Sequence, residues 1–190
     1  MNKQNLFENI KNSMGEFPPF YPEYRNWKST NCYAHALNLH YPIEHDYYCP
    51  GMLAALSKGG DIFDDVLLSI LDFFETGTAH TYTSSEIDFL VKGIKRDCIA
   101  FGLYATECDF TKPCTPNSYK ILLYTFPAPE GWHFVRESIT WEGERIWTHN
   151  PGYNTPTEEI DLSKNHISFT IEGVTFTFRK CLEINFSKLL

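Results

Sequence analysis

Two short stretches of this chain hold residue types that can do acyl-transfer chemistry together. The first is Ser29-Thr30-Asn31-Cys32-Tyr33-Ala34-His35, and the second is Gly131-Trp132-His133-Phe134-Val135-Arg136, followed by Trp147-Thr148-His149-Asn150-Pro151-Gly152. A thiol needs a base to take its proton, and the base needs a polar group to fix its tautomer. Cys32 supplies the thiol and His133 the base. His149 or Asn150 supplies the orienting group. The three parts are remote in sequence and meet only through the fold.

Those roles require elements that place them. Ser29, Thr30 and Asn31 are good cap residues, so a helix is expected from Cys32 to about His40, closed by Pro42. Cys32 then sits in the first turn, where unpaired backbone N–H groups favour a thiolate and bind an oxyanion. Trp132 to Thr140 and Arg145 to Thr148 flank Glu142-Gly143 and read as a hairpin. Adjacent strand residues face opposite ways. A two-residue turn at Glu142-Gly143 puts Asn150 on the His133 face, and a three-residue loop including Glu144 puts His149 there.

The remaining elements follow from pattern. Residues 3–14 read as an amphipathic helix, and the Pro- and aromatic-rich segment 17–24 as an extended path over the body. Residues 43–60 read as loop. Helices are expected over 62–75, capped by Asp61, and over about 85–96, capped by Ser84 or Ser85. Strands are expected over Ile99–Ala105, Tyr119–Phe126, and 167–171 with 174–179 around Glu172-Gly173. Helices first and strands later predict one α+β domain over residues 1–190. Its helical part ends near residue 97, and its helices pack on an antiparallel sheet built from the rest.

Composition narrows the function classes. The chain has 190 residues, enough to bury one core, with 43% hydrophobic and 16% aromatic residues. A net charge of -8 with no Lys/Arg run disfavours nucleic acid and anionic membrane as partners. No apolar run approaches the ~18 residues of a membrane span, and the N-terminus lacks a secretory apolar segment. A cytoplasmic site, or export by a route needing no signal peptide, is expected. Without a secretory segment the six cysteines are expected to be reduced, with Cys108 and Cys114 the pair able to close a loop if oxidised.

Competing readings of other residues are blander. His35, three residues after Cys32, reads as a packing histidine. His40, His45 and Cys49 lack a fourth ligand at a zinc spacing, and Asp61, Asp64 and Asp65 read as the first turn of a helix. No phosphate loop or dinucleotide fingerprint is present, so neither cofactor nor metal is expected.

The order Cys, His, polar residue over segments 26–40 and 131–152 resembles the papain-like cysteine peptidase superfamily. A Cys-His-His order is similar to its NlpC-type cell-wall peptidases, and a Cys-His-Asn order to papain itself. The Asn31-Cys32-Tyr33 lead differs from the Asp-Cys-Ser usual in NlpC-type enzymes. The resemblance implies a papain-like fold and a thiol peptidase or amidase acting on a peptide, protein or cell-wall peptide. It also implies an oxyanion donor upstream of the nucleophile, a role that falls to Asn26. A papain-fold deamidase, transglutaminase or acyltransferase acting as a bacterial effector uses the same residues. A non-catalytic binding module uses none of them.

Overall fold

A computed structural model describes residues 3–19, 21, 31–41, 49–59, 81–127, 131–151, 156–163 and 165–189. The predicted helix over 62–75, with Asp61, Asp64 and Asp65, lies outside the described residues, as do Asn26 and His45.

The chain is α+β. Four described helices, α1 (Lys3–Asn12), α2 (Cys32–Ala36), α3 (Met52–Ser57) and α4 (Ser84–Ala100), precede the strands. The strands are β1 (Tyr104–Glu107), β2 (Ser118–Thr125), β3 (Trp132–Ile139), β4 (Arg145–His149), β5 (Glu158–Glu159), β6 (Ser168–Ile171) and β7 (Val174–Asn185). They form one seven-stranded antiparallel sheet in the order β1-β7-β2-β3-β4-β5, with β6 on β7. No described helix is long and apolar enough to cross a membrane.

Every residue of β2 is buried, because both faces of this central strand are covered. Tyr119, Ile121 and Leu123 enter the larger core with Trp132, Phe134, Leu182 and the helices, on the inner, helix-covered face. Leu122 and Tyr124 enter a second core with Val135, Leu162, Phe176 and Cys181, on the outer face. The period of two thus assigns each side chain to one of two separate environments.

The helices are tied to one another by a buried carboxylate. Asp97 Oδ2 accepts from Tyr33 Oη and Gly51 N, and its Oδ1 accepts from Ala54 N, each at 2.7 Å. α2, α3 and α4 therefore share one anchor. Burial nevertheless pushes the Asp97 carboxyl up to about 7, against the pull of those donors. Gly93 lets α4 approach the start of α3, since a Cβ there would stand 2.7 Å from the Pro50 carbonyl carbon.

Several elements differ from expectation; β7 runs on to Asn185, past the expected end at residue 179, and β5 was not expected. α4 runs to Ala100, where a strand had been expected from Ile99. The apolar series Ile87, Leu90, Val91, Ile94 and Cys98 continues its helical spacing, and Gly102 at φ 79° ends it. Its cap is Thr83, which forms a capping box with Glu86. α2 stops at Ala36 rather than His40, because Asn38 turns to φ 58° and donates through Nδ2 to Glu16 O. Within the expected loop 43–60, Met52–Ser57 form α3, whose Met52, Leu53 and Leu56 are buried.

Candidate functional site

Cys32 opens α2, and Asn31 caps it, its Oδ1 accepting from Ala34 N at 3.0 Å. The helix has five residues, so its dipole is that of little more than one turn. All five are buried, Cys32 being 8% exposed.

α2 is fastened to the inner face of β3 and β4. The Tyr33 ring lies 6.4 Å from Trp132 and 5.1 Å from Phe134. Arg136, fully buried, donates through Nη1 to His35 O at 2.6 Å and Asn38 Oδ1 at 3.1 Å, and through Nε to Ser138 Oγ at 3.1 Å. His35 Nε2 and Ser138 Oγ both meet Thr148 Oγ1, at 3.1 and 2.8 Å. Burial lowers Arg136 to about 9 and His35 to about 3, so at neutral pH the imidazole is uncharged and the guanidinium charged.

His133 and His149 meet on the outer face. The hairpin closes through Thr140 N to Glu144 O at 2.9 Å, leaving a three-residue loop, Trp141-Glu142-Gly143, which takes in Trp141 rather than the expected Glu144. That loop pairs Val135 with His149, so His149 shares the face of Val135 and His133. His133 Nε2 and His149 Nδ1 are 3.0 Å apart, with the rings nearly perpendicular. The Phe176 ring lies 5.2 Å from His133, and Phe169 stacks on Phe176. Burial, then the neighbouring imidazoles, lower His133 to about 3, and burial with His35 lowers His149 to about 4. Both rings are neutral at pH 7. With Nε2–H donating to His149, His133 Nδ1 keeps the lone pair a base needs. Among the described residues no partner holds His133 Nδ1 or His149 Nε2.

The sequence-predicted site is thus assembled in part. His149, not Asn150, is the residue paired with His133; Asn150 is buried one residue beyond β4. Tyr33, next to Cys32, meets Trp132, the first residue of β3. α2, however, covers the inner face through Trp132, Phe134 and Arg136, and His133 alternates away from it. The expected facing of a helix thiol and a strand imidazole across one interface is not the arrangement of this sheet. The imidazole on the inner face is His35, in the helix itself.

Sequence reasoning misses the Asp97 anchor of the helices and the inner network of Arg136, Ser138 and Thr148. Asp97 interrupts the apolar stripe of α4 and Arg136 occupies a core-facing strand position, which were the available signals. Trp132 Nε1 is a further buried donor, without a partner among the described residues.

Comparison of the chain with protein-family models, curated proteins and solved structures gives no match.

Proposed function

We propose that the chain is a thiol-dependent acyl hydrolase, a cysteine peptidase or amidase of papain-like type. Cys32 is the nucleophile, His133 the base and His149 its orienter. The observation that carries the reading is the His133 Nε2–His149 Nδ1 pair at 3.0 Å, which leaves Nδ1 of the first ring for a proton. A neutral imidazole suits general-base catalysis rather than a standing thiolate–imidazolium pair. Cys32 Sγ would attack an amide carbonyl as its proton passes to His133 Nδ1. The amine would leave with that proton, and water would then release the acid from the thioester. The Cys32 backbone N–H and Asn26 are the assigned oxyanion donors.

The proton has to pass around the first residue of β3, through one water or a new His133 rotamer, because α2 and the imidazole pair lie on opposite faces. That same observation favours a second reading, a binding module in which Cys32 only packs. Alkylation by iodoacetamide, mapped by mass spectrometry, separates the two. The hydrolase requires Cys32 to react faster than buried Cys49 and Cys98, and at least about tenfold slower in His133→Ala. Equal rates in wild type and His133→Ala would leave the binding module. Trapping an acyl-enzyme and offering it water or an amine then distinguishes hydrolysis from deamidation or acyl transfer.

A further inference from the structure

Near the other end of β2, the outer face gathers thiols that the proposed reaction does not use. Cys108 follows β1 directly, and its N–H donates to Cys181 O at 3.0 Å. The two residues therefore stand opposite each other on neighbouring strands, and their sulfurs are 3.1 Å apart. Opposed antiparallel residues have Cα atoms about 4.5–5.5 Å apart, within the span a disulfide bridges. Cys114, the partner expected for Cys108, instead donates to Glu137 Oε2 at 3.0 Å. Burial and that carboxylate push the Cys114 thiol up to about 12, so it stays protonated.

The two facing thiols are not equivalent. Cys108 is partly exposed and lines a cavity of about 480 Å³ with Asp109, Lys112, Lys120 and Glu183, whereas Cys181 is buried. Lys120 Nζ donates to the carbonyls of Asp109 at 2.9 Å, Phe110 at 2.8 Å and Lys112, and so fixes the loop that forms the cavity wall. The Cys181 S–H and the Lys120 charge hold the Cys108 thiol below its ordinary range, and donation to Cys108, with burial, holds Cys181 above it. An attacking thiol and a resolving thiol are thereby distinguished.

We propose that Cys108 and Cys181 are a reversible redox dithiol, oxidised through Cys108 by a low-molecular-weight disulfide of the glutathione type. The Cys108 thiolate attacks one sulfur of the reagent. The reagent's S–S bond breaks, a mixed disulfide forms on Cys108, and one thiolate leaves. Cys181 then gives its proton to solvent and attacks the Cys108 sulfur. The Cys108–Cys181 bond forms and the second thiolate leaves. Two electrons pass from the protein thiols to the reagent, which is reduced to two thiols. The bond would clamp β1 to β7 across a separation of 73 residues. This inference does not depend on the role of Cys32.

The test incubates the full chain with oxidised glutathione, alkylates free thiols and maps linked peptides by mass spectrometry. The expected product is a Cys108–Cys181 link that dithiothreitol reverses, with Cys49, Cys98 and Cys114 still alkylated under denaturing conditions. Cys181→Ser is expected to accumulate the glutathione adduct at Cys108. Oxidation is also expected to raise the melting temperature by several degrees, reversibly. A wild-type chain in which Cys108 and Cys181 remain alkylated, or in which Cys108 links to Cys114, overturns the proposal. So does a Cys181→Ser chain that folds, by circular dichroism, yet carries no adduct at Cys108.

Discussion

The two faces of the sheet handle polar side chains in opposite ways, although the same strands supply both. On the inner face Arg136, His35, Ser138 and Thr148 bond one another or a backbone carbonyl, and the helices shut them in. On the outer face His133 and His149 bond each other once and keep a ring nitrogen each, among aromatic rings. Cys108 on that face opens to a cavity. The inner-face bonds fix how α2 sits, and the outer-face ring nitrogens and the Cys108 thiol are available for chemistry. β3 shows the division within eight residues: Arg136 is architectural, and His133, three residues earlier, is reactive in type.

The sharpest way to break this contrast is to remove Arg136. Arg136→Ala strands the buried His35 carbonyl and Asn38 side chain and opens a void. The stranded acceptors and the void together cost about 3–5 kcal/mol. His133→Phe, among Phe169 and Phe176, removes one bond to His149 and costs about 1 kcal/mol. Urea unfolding checks both values. Equal losses would show that the outer pair is structural too.

Acid provides the next largest effect. His35, His133 and His149 have folded pKa values of about 3, 3 and 4, below the ordinary 6.5. A depressed imidazole contributes its full stability above 6.5 and loses it as pH falls toward the folded value, because only the unfolded chain takes the proton. Asp97, raised to about 7 from 3.8, works in reverse: stability falls as pH rises between those values. It offsets one imidazole of the three, leaving a net loss of ~3 kcal/mol per pH unit on acidification below about pH 6. The double variant His133→Phe/His149→Phe is expected to abolish that net slope. A slope unchanged in the double variant would place the titrating groups elsewhere.

How far these features could be read in advance follows the same division. Local signals sufficed where one residue decides the outcome: the Asn31 cap at Cys32, the Glu172-Gly173 turn, the hairpin around Glu142-Gly143. The antiparallel sheet followed from strands gathered after the helices. The extent of α4 is hidden in the sequence because Ile99 and Ala100 look like the start of a strand, and only Gly102 shows where the helix ends. Whether His149 or Asn150 meets His133 hung on one residue of loop length. The face that α2 chooses was illegible, since Trp132 and Phe134 are no more obviously inward than Val135. Packing partners distant in sequence, Tyr33 above all, make that choice.

A smaller effect sharpens the inner side. Thr148→Val keeps the shape of the side chain but removes the hydroxyl that meets both His35 Nε2 and Ser138 Oγ. A loss of about 1–2 kcal/mol is expected for the stranded buried groups. Because Thr148 faces inward, the alkylation rates of Cys108 should not change. A Cys108 rate that moves with Thr148→Val would mean that the faces are coupled through β4.

The smallest effect tests the loop on which the His133–His149 pair depends. Gly143 closes the three-residue turn at φ 85°, and a Cβ there would meet nothing within 4 Å. Gly143→Ala therefore costs only backbone strain, about 1 kcal/mol. If the loop length alone sets the register, the strained turn should hold Val135 opposite His149, and the coupled imidazole NMR signals of His133 and His149 should persist. A turn that instead relaxed to two residues would shift β4 by one position and turn His149 to the inner face. The ring coupling would then be lost while the hairpin remained. That outcome would mean that the outer pair is chosen by a margin of about 1 kcal/mol in the turn and not by the aromatic packing around Phe169 and Phe176.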